Sequence, residues 1–275
     1  MRIAACLKRV DTRPEVDLLT GAVHDDARTS GASPADQAAL EWALRCAEAW
    51  DGSVLVVSAG PKSADLVLRE ALASGATAAV RVDLAADAPS EAVAAGIAEV
   101  LDGVDLVLCG DYSLDRGSAS VPPYLAGHLG VAQACGLVSL ELTGDRELTV
   151  LRRLDGGRRE RLRVRAPAVL SVEGATARLR RAPLAATIAA RSAPITVVPG
   201  PVVPDHAARV SRPFRPRPRV LPAPDGSRAL DRIVAITHAH TMPSADHSAI
   251  HLDPPAAARR ILDALVEWGE LEGSP

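Results

Sequence analysis

Between residues 3 and 130 the chain alternates apolar runs with segments whose apolar residues recur at helical spacing, four times over. The runs are IAACLKRV (3–10), SVLVVSAG (53–60), TAAVRVD (77–83) and Asp105–Cys109. They are too short to be helices, and mostly continuous rather than alternating, as strands covered on both faces read. Helical patterns follow each of them, at 33–50, 63–74, 89–101 and 118–129. The first opens on Ser33-Pro34, an N-cap residue followed by proline at N1. Strand, helix, strand, helix at this spacing predicts an α/β fold with a doubly wound, mainly parallel sheet.

From about 135 the pattern changes. CGLVSLEL, ELTVLRRL, RRERLRVR and AVLSVE read as successive strands ending near 173, with turn signals at Gly144-Asp145 and Asp155-Gly156-Gly157. They predict an antiparallel extension of the same domain, 1–198. Eight prolines fall between 199 and 224, so the remainder, 199–275, begins as an extended C-terminal arm. LDRIVAI (230–236) reads as a short strand and 255–271 as an amphipathic helix.

With one Phe, two Tyr and three Trp, the core must be Ala, Val and Leu. The same scarcity, with a net charge of −3, argues against nucleic acid as a partner. No apolar stretch approaches the roughly 20 residues of a membrane span, and the first residues do not read as a signal peptide. Cys6, Cys46, Cys109 and Cys135 form no CxxC pair. They read as buried thiols of a reduced, cytoplasmic protein.

Ligands of doubly wound sheets sit at the carboxyl ends of strands. The stretch DLVLCGDYSLDRGSASVPPYLAGHLG (105–130) leaves such an end and enters a helix through Gly117, Ser118, Ala119 and Ser120. Small residues, hydroxyls and a helix N-terminus suit a phosphate. Ordinary N-capping by Ser118 is the alternative. The stretch is neither a P-loop nor GxGxxG. His128 reads as a packing residue, Asp155 as a turn residue, and Ser118 and Ser120 lack a His or Asp at nucleophile spacing.

Several segments, taken in order, resemble the β subunit of electron-transferring flavoproteins. CLKRV (6–10), SPADQAALEWAL (33–44), SAGP (58–61), REALASGA (69–76), DLVLCGDYSLDRGSASVPP (105–123), LDGG (154–157) and APAVLSVE (166–173) carry the resemblance, which covers about 1–198. It implies an adenine nucleotide alpha hydrolase-like core and an electron carrier subunit with no substrate chemistry of its own. The implied partner is an α subunit that holds the redox FAD. This chain would hold AMP, or a second FAD in electron-bifurcating members. The family's nucleotide contacts fall on Cys6, Ser33, Ala59, Asp115, Ser118, Ala119, Ser120 and Val121. Three positions depart from the family: Ser33 stands for Asn, Tyr112 for Gln, and Ser120 for a polar amide, with apolar Ala119 and Val121 beside it. The loop through which the family docks dehydrogenases corresponds to VEGATARLRR (172–181), so a donor is expected near Gly174–Arg181. Thr176 takes the place of the docking leucine, which implies an altered partner surface; the alternative is a solvated charged loop.

The tail HAHTMPSADHSAIHLD (238–253) gathers His238, His240, His247 and His251. His-x-His on a strand and an i, i+4 pair on a helix would suit a metal. Interface or surface histidines are the plainer reading, and no HExxH or Cys pair accompanies them. In the family the C-terminus is a shorter arm that embraces the α subunit, so 225–253 reads as an insertion. Extended β subunits of this kind resemble those associated with mycofactocin, a redox cofactor of alcohol oxidation. Two readings from other classes stay open. An adenine-nucleotide-binding sensor or hydrolase would need a triphosphate loop that Gly110 and Gly117 do not match in spacing. A metal-dependent enzyme would have to use the histidine tail.

Overall fold

The structure, a computed structural model, describes residues 1–24, 26–202, 224, 226–237 and 250–269. The chain divides into two compact units, 1–214 and 215–275. In chain order the first holds β1 (Arg2–Cys6), β2 (Arg9–Asp11), β3 (Glu15–Val16), β4 (Val23–His24), β5 (Ser30–Ala32), α1 (Pro34–Ala49), β6 (Ser53–Ala59), α2 (Asp65–Ser74), β7 (Ala78–Asp83), α3 (Ser90–Glu99), β8 (Leu106–Gly110), α4 (Val121–Leu129), β9 (Ala132–Gly144), β10 (Glu147–Arg153), β11 (Arg159–Arg165), β12 (Ala168–Val172), α5 (Leu184–Ala190) and β13 (Thr196–Pro199). The second holds α6 (Ala229–Thr237) and α7 (Pro254–Glu267).

Nine strands form one sheet in the order β11-β10-β9-β12-β8-β1-β6-β7-β13. From β9 through β13 each pair of neighbours is parallel, whereas β10 and β11 pair antiparallel beyond β9. The parallel α/β sheet is as expected from sequence, and so is its antiparallel extension through β10 and β11, but AVLSVE is not part of that extension: β12 inserts between β9 and β8 and pairs parallel with both. The strand alternation sorts side chains to two covers. Ile3, Ala5 and Leu7 join α1 and α2 in one apolar cluster. Ala4 and Cys6 join Ala94 and Ile97 of α3 and Leu125 and Ala126 of α4 in the other. Helices on both faces explain why these strands carry no polar alternation. The chain runs outward from β1 to β6 and β7, then returns to place β8 on the other side of β1. The β1/β8 boundary is thus the topological switch point.

Several expectations are corrected. The run 3–10 is not one strand: β1 ends at Cys6, and Arg9–Asp11 pairs with Ser30–Ala32 in a separate ribbon. Lys8 and Arg9 mark that exit, since charges do not continue into a buried sheet. LDRIVAI is helical, not a strand. Its apolar Leu230, Ile233 and Ile236 fall three apart, the spacing of one helix face, whereas a strand would put Ile233 on the face opposite the other two. The fourth helix starts at Val121 rather than Ser118. Its cap is Ser120, whose side chain makes no capping bond. His128 is exposed in the last turn of α4 rather than packed. Sequence reading assigned no element to 174–198, yet β13 completes the sheet beside β7.

Segment 174–181 is not a solvated loop. Ala177 and Leu179 pack against the core cluster, and Arg180 clamps α1 through Glu41 and Glu48. Thr176 hydrogen-bonds the Glu173 carbonyl at 2.7 Å. Ala175, Arg178 and Arg181 remain exposed.

Candidate functional site

The switch point opens into a solvent-accessible cleft of about 110 Å³ at the carboxyl ends of β1, β6 and β8. Cys6 comes from the end of β1, Ala59 from β6, and Cys109 and Gly110 from β8. Ala85, Ala86 and Ala88 of the β7–α3 connection form one wall. Ser118 to Pro122, at the start of α4, form another. Six of the eight residues named from the sequence therefore meet here: Cys6, Ala59, Ser118, Ala119, Ser120 and Val121.

Ser33 and Asp115 do not line the cleft. Ser33 is buried and accepts a hydrogen bond from the Asp36 N–H at 3.1 Å, which caps α1. Asp115 is ion-paired with Lys8. Partial burial works against its ionisation, but the Lys8 ammonium and the Ser113 side chain outweigh it and hold the carboxyl below its ordinary value. The pair spans from the exit of β1 to the loop after β8, so it fixes the cleft's edge.

The loop between β8 and α4 turns on Gly117, at φ +62°, and on Ala119, a non-glycine residue at φ +51°. Ser120 follows in the right-handed region at −92°, −18°. A left-handed residue followed by a right-handed one turns successive N–H groups toward a common point, an anion-binding concavity. Pro122 and Pro123 remove two donors from the first turn of α4, leaving Val121 to donate there. Among the described residues, the N–H groups of Ala119, Ser120 and Val121 have no protein acceptor. The Ser118 and Ser120 hydroxyls lie 3.0 Å apart beside them. The structure thus replaces capping by Ser118 with a hydroxyl pair facing a set of free amides.

Three further residues were missed from sequence. Arg116 lines the cleft and donates to the carbonyls of Ala88 at 2.6 Å and Ala86 at 3.2 Å. It has no carboxylate partner among the described residues, so its charge is available at the same mouth as the free amides. Its place one residue before Gly117-Ser118 was the available signal. Asp36 lies on the cleft floor at 8% exposure and accepts from the Lys8 N–H at 2.9 Å. Burial pushes its carboxyl up to about 7, against the bonds from Lys8 and Gly110 that favour the charged form. The sequence showed Asp36 only as a polar position of a helix. Asp111 also lines the cleft, and its Oδ1 is buried without a hydrogen-bond partner. Burial and the nearby Glu173 both raise it.

Of the histidine candidates, His238, His240 and His247 lie outside the described residues, and His251 is exposed. Among the described residues no group of three or more His, Cys, Asp or Glu is placed to hold a metal ion. Among them, too, no helix is long and apolar enough to cross a membrane.

Comparison with known proteins gives a concordant picture. Residues 20–202 match the family model described as the electron transfer flavoprotein domain. The chain is 35% identical over 177 residues to the electron transfer flavoprotein subunit beta of Thermoanaerobacterium thermosaccharolyticum, covering 62% of this chain and 67% of that one. It is 30% identical over 201 residues to the subunit of the same name from Syntrophomonas wolfei, covering 71% of this chain and 78% of that one. Protein FixA of Rhizobium meliloti is 32% identical over 171 residues, 57% of this chain and 58% of that one.

Proposed function

The chain belongs to the electron transfer flavoprotein family, on the β-subunit side, and from that membership we propose that its cleft seats an adenine nucleotide, AMP, in support of a flavin held by an α partner. It is an electron carrier subunit, not an enzyme. The observation that carries the nucleotide reading is that, among the described residues, the amides of Ala119, Ser120 and Val121 have no protein acceptor and the Arg116 guanidinium beside them is held by carbonyls without a carboxylate partner.

A phosphate at that mouth accepts from those amides and from the Ser118 and Ser120 hydroxyls, and Arg116 offsets its charge. The Lys8 charge is already matched by Asp115, so Lys8 shapes the mouth rather than binding phosphate. The unpartnered Asp111 Oδ1 accepts a donor from the rest of the ligand, a ribose hydroxyl or an adenine amino group. Cys6, Ala59 and Val93 supply an apolar surface for the base. Ser33 acts through Asp36 and α1, not by contact. FAD, in the α partner, supplies the electron chemistry; this chain holds the nucleotide and shapes that partner's surroundings.

A dehydrogenase donor docks near Gly174–Arg181 in this reading, through Ala175, Arg178 and Arg181 rather than the inward Arg180. The extended C-terminal part favours a mycofactocin-linked donor, and the complex works in the cytoplasm. The test is to purify the chain with its α partner, denature it and identify what is released by chromatography and absorbance. One AMP and one FAD per heterodimer are expected, with AMP occupancy reduced about tenfold or more in Arg116→Ala and FAD unchanged. Release of FAD without any adenine nucleotide overturns the cleft assignment.

A further inference from the structure

β11 is the last strand of the sheet, so one side of its backbone has no neighbouring strand. Which residues present that side follows from its pairing with β10. The two strands pair over seven residues without a bulge, from Glu147 opposite Arg165 to Arg153 opposite Arg159. Just beyond the ends of that ladder, the Leu154 N–H donates to the Arg158 carbonyl at 2.8 Å and the Ala166 N–H to the Arg146 carbonyl at 3.2 Å. Hydrogen-bonded pairs of an antiparallel ladder recur at every second residue. Glu160, Leu162 and Val164 therefore direct their N–H and C=O groups at β10, and Arg159, Arg161, Arg163 and Arg165 turn theirs outward. Among the described residues those outward groups meet no protein partner.

The same four arginines form one exposed face of the strand, because side chains alternate. Arg163 is paired with Glu147 at 3.0 Å. Arg159, Arg161 and Arg165 form no ion pair among the described residues. The other face is half-buried, and its Leu162 and Val164 pack against the apolar cluster that includes α1. Such an edge selects its occupant. A strand added antiparallel, the sense in which β9, β10 and β11 already alternate, exchanges backbone bonds with the four arginines and sets one side chain opposite each of them. Acidic side chains suit those positions, since opposite charges across a strand pair attract and like charges repel. The intervening side chains fall beside Glu160, Leu162 and Val164, where apolar ones extend the cluster. A second copy of β11 would set arginine against arginine, so the edge rejects its own kind. A polynucleotide matches the charge but leaves the outward carbonyls without donors.

We propose that β11 is a docking edge for an extended segment of a partner protein in which acidic and apolar residues alternate, added to the nine-stranded sheet as a further antiparallel strand. Main-chain hydrogen bonds supply the binding, and the arginines decide which segment is accepted. The strand spans about 20 Å, which matches a partner segment of the same seven residues. No residue of β11 lines the cleft, so this edge works independently of the nucleotide seat.

The experiment titrates the full-length chain into a fluorescently labelled peptide that alternates glutamate and valine, with glutamate at both ends and the length of β11, and follows anisotropy. Saturable binding is expected, weakened about fivefold or more in Arg161→Glu and regained there by a peptide with lysine at the facing position. Methylating the glutamate nitrogens, which face β11, abolishes binding, whereas methylating the valine nitrogens spares it. Hydrogen exchange maps the contact on the unsubstituted chain. With peptide bound, the amides of Arg159, Arg161, Arg163 and Arg165 exchange more slowly, while those of Glu160, Leu162 and Val164, already bonded to β10, change little. The proposal is overturned by no binding, by equal binding of a peptide with the same residues in two blocks, by equal loss on methylating the valines, or by tighter binding of an oligodeoxynucleotide of equal charge. None of these readouts depends on nucleotide in the cleft.

Discussion

Replacing Arg180 by alanine removes the clamp between segment 174–181 and α1. Arg180 donates from Nε to Glu41 Oε2 at 3.0 Å and from Nη2 to Glu41 Oε1 at 3.3 Å and Glu48 Oε2 at 3.2 Å, with Nη1 on Glu48 Oε1 as well. Glu41 is 4% exposed. An exposed pair contributes about 0.2–1 kcal/mol, whereas breaking a buried one costs about 3–5 kcal/mol because it leaves a stranded charge. This case lies between. The Arg180 side chain is one-third exposed, and Glu41 keeps the Arg45 guanidinium at 2.8 Å and the backbone N–H of residue 180 at 3.1 Å. The expected loss is about 2 kcal/mol, or a fall in Tm of about 4–8 °C for a chain of this size.

The deficit has a pH signature. Burial raises the Glu41 carboxyl, but Arg180 and Arg45 outweigh it and hold the group below its ordinary 4.5. A depressed carboxylate contributes stability that is present above its unfolded value and lost as pH falls through the folded one. The Arg180→Ala deficit should therefore be full at pH 7 and shrink as the solution is acidified below about pH 4.5. Thermal and urea unfolding at both pH values, alone and in a Glu41→Gln background, measure it. A deficit under about 0.5 kcal/mol at pH 7, or the same deficit in the Glu41→Gln background, refutes the reasoning.

Two other substitutions probe the cleft floor. Asp36, raised to about 7 by burial, makes the folded chain bind an extra proton between its unfolded value of 3.8 and about 7, so stability should decline as pH rises through that window; Asp36→Asn should flatten the decline, seen by Tm against pH. A Cβ at Gly110 would stand 2.4 Å from Asp36 Oδ1 and 3.1 Å from both the Ala35 Cβ and the Asp36 nitrogen, so Gly110→Ala should cost about 1–3 kcal/mol in urea unfolding, whereas Gly127→Ala, with nothing within 4 Å of its Cβ, should not destabilise.

How far the site was legible depended on what each residue's role required. Ser118 to Val121 were visible because small residues before a helix advertise their backbone. Cys6 and Ala59 were reached through the resemblance, and their strand ends converge where the chain reverses. Asp115 and Ser33 stand off the cleft lining for one reason: their polar groups are taken up by Lys8 and by the α1 cap, and a sequence does not show which polar partner is nearest. Arg116 is the converse. It reads as one more arginine among many, and only the folded chain shows that carbonyls rather than a carboxylate face it.

By itself the sequence determined the alternation of strands and helices, the two-sided burial of the sheet and the antiparallel hairpins from 135 to 165, but not that β12 returns to pair parallel between β9 and β8. Each rests on residue periodicity, which is local. It also placed the turn before α4, because proline, glycine and serine restrict the backbone where they stand. Only tertiary structure showed that the chain after Cys6 leaves the sheet to pair with Ser30–Ala32, since strand pairing is not a local property. It alone brought Cys6 beside Cys109, residues 103 apart in the chain and in register across two parallel strands. Strand order is a long-range choice among crossovers, and no local pattern encodes it.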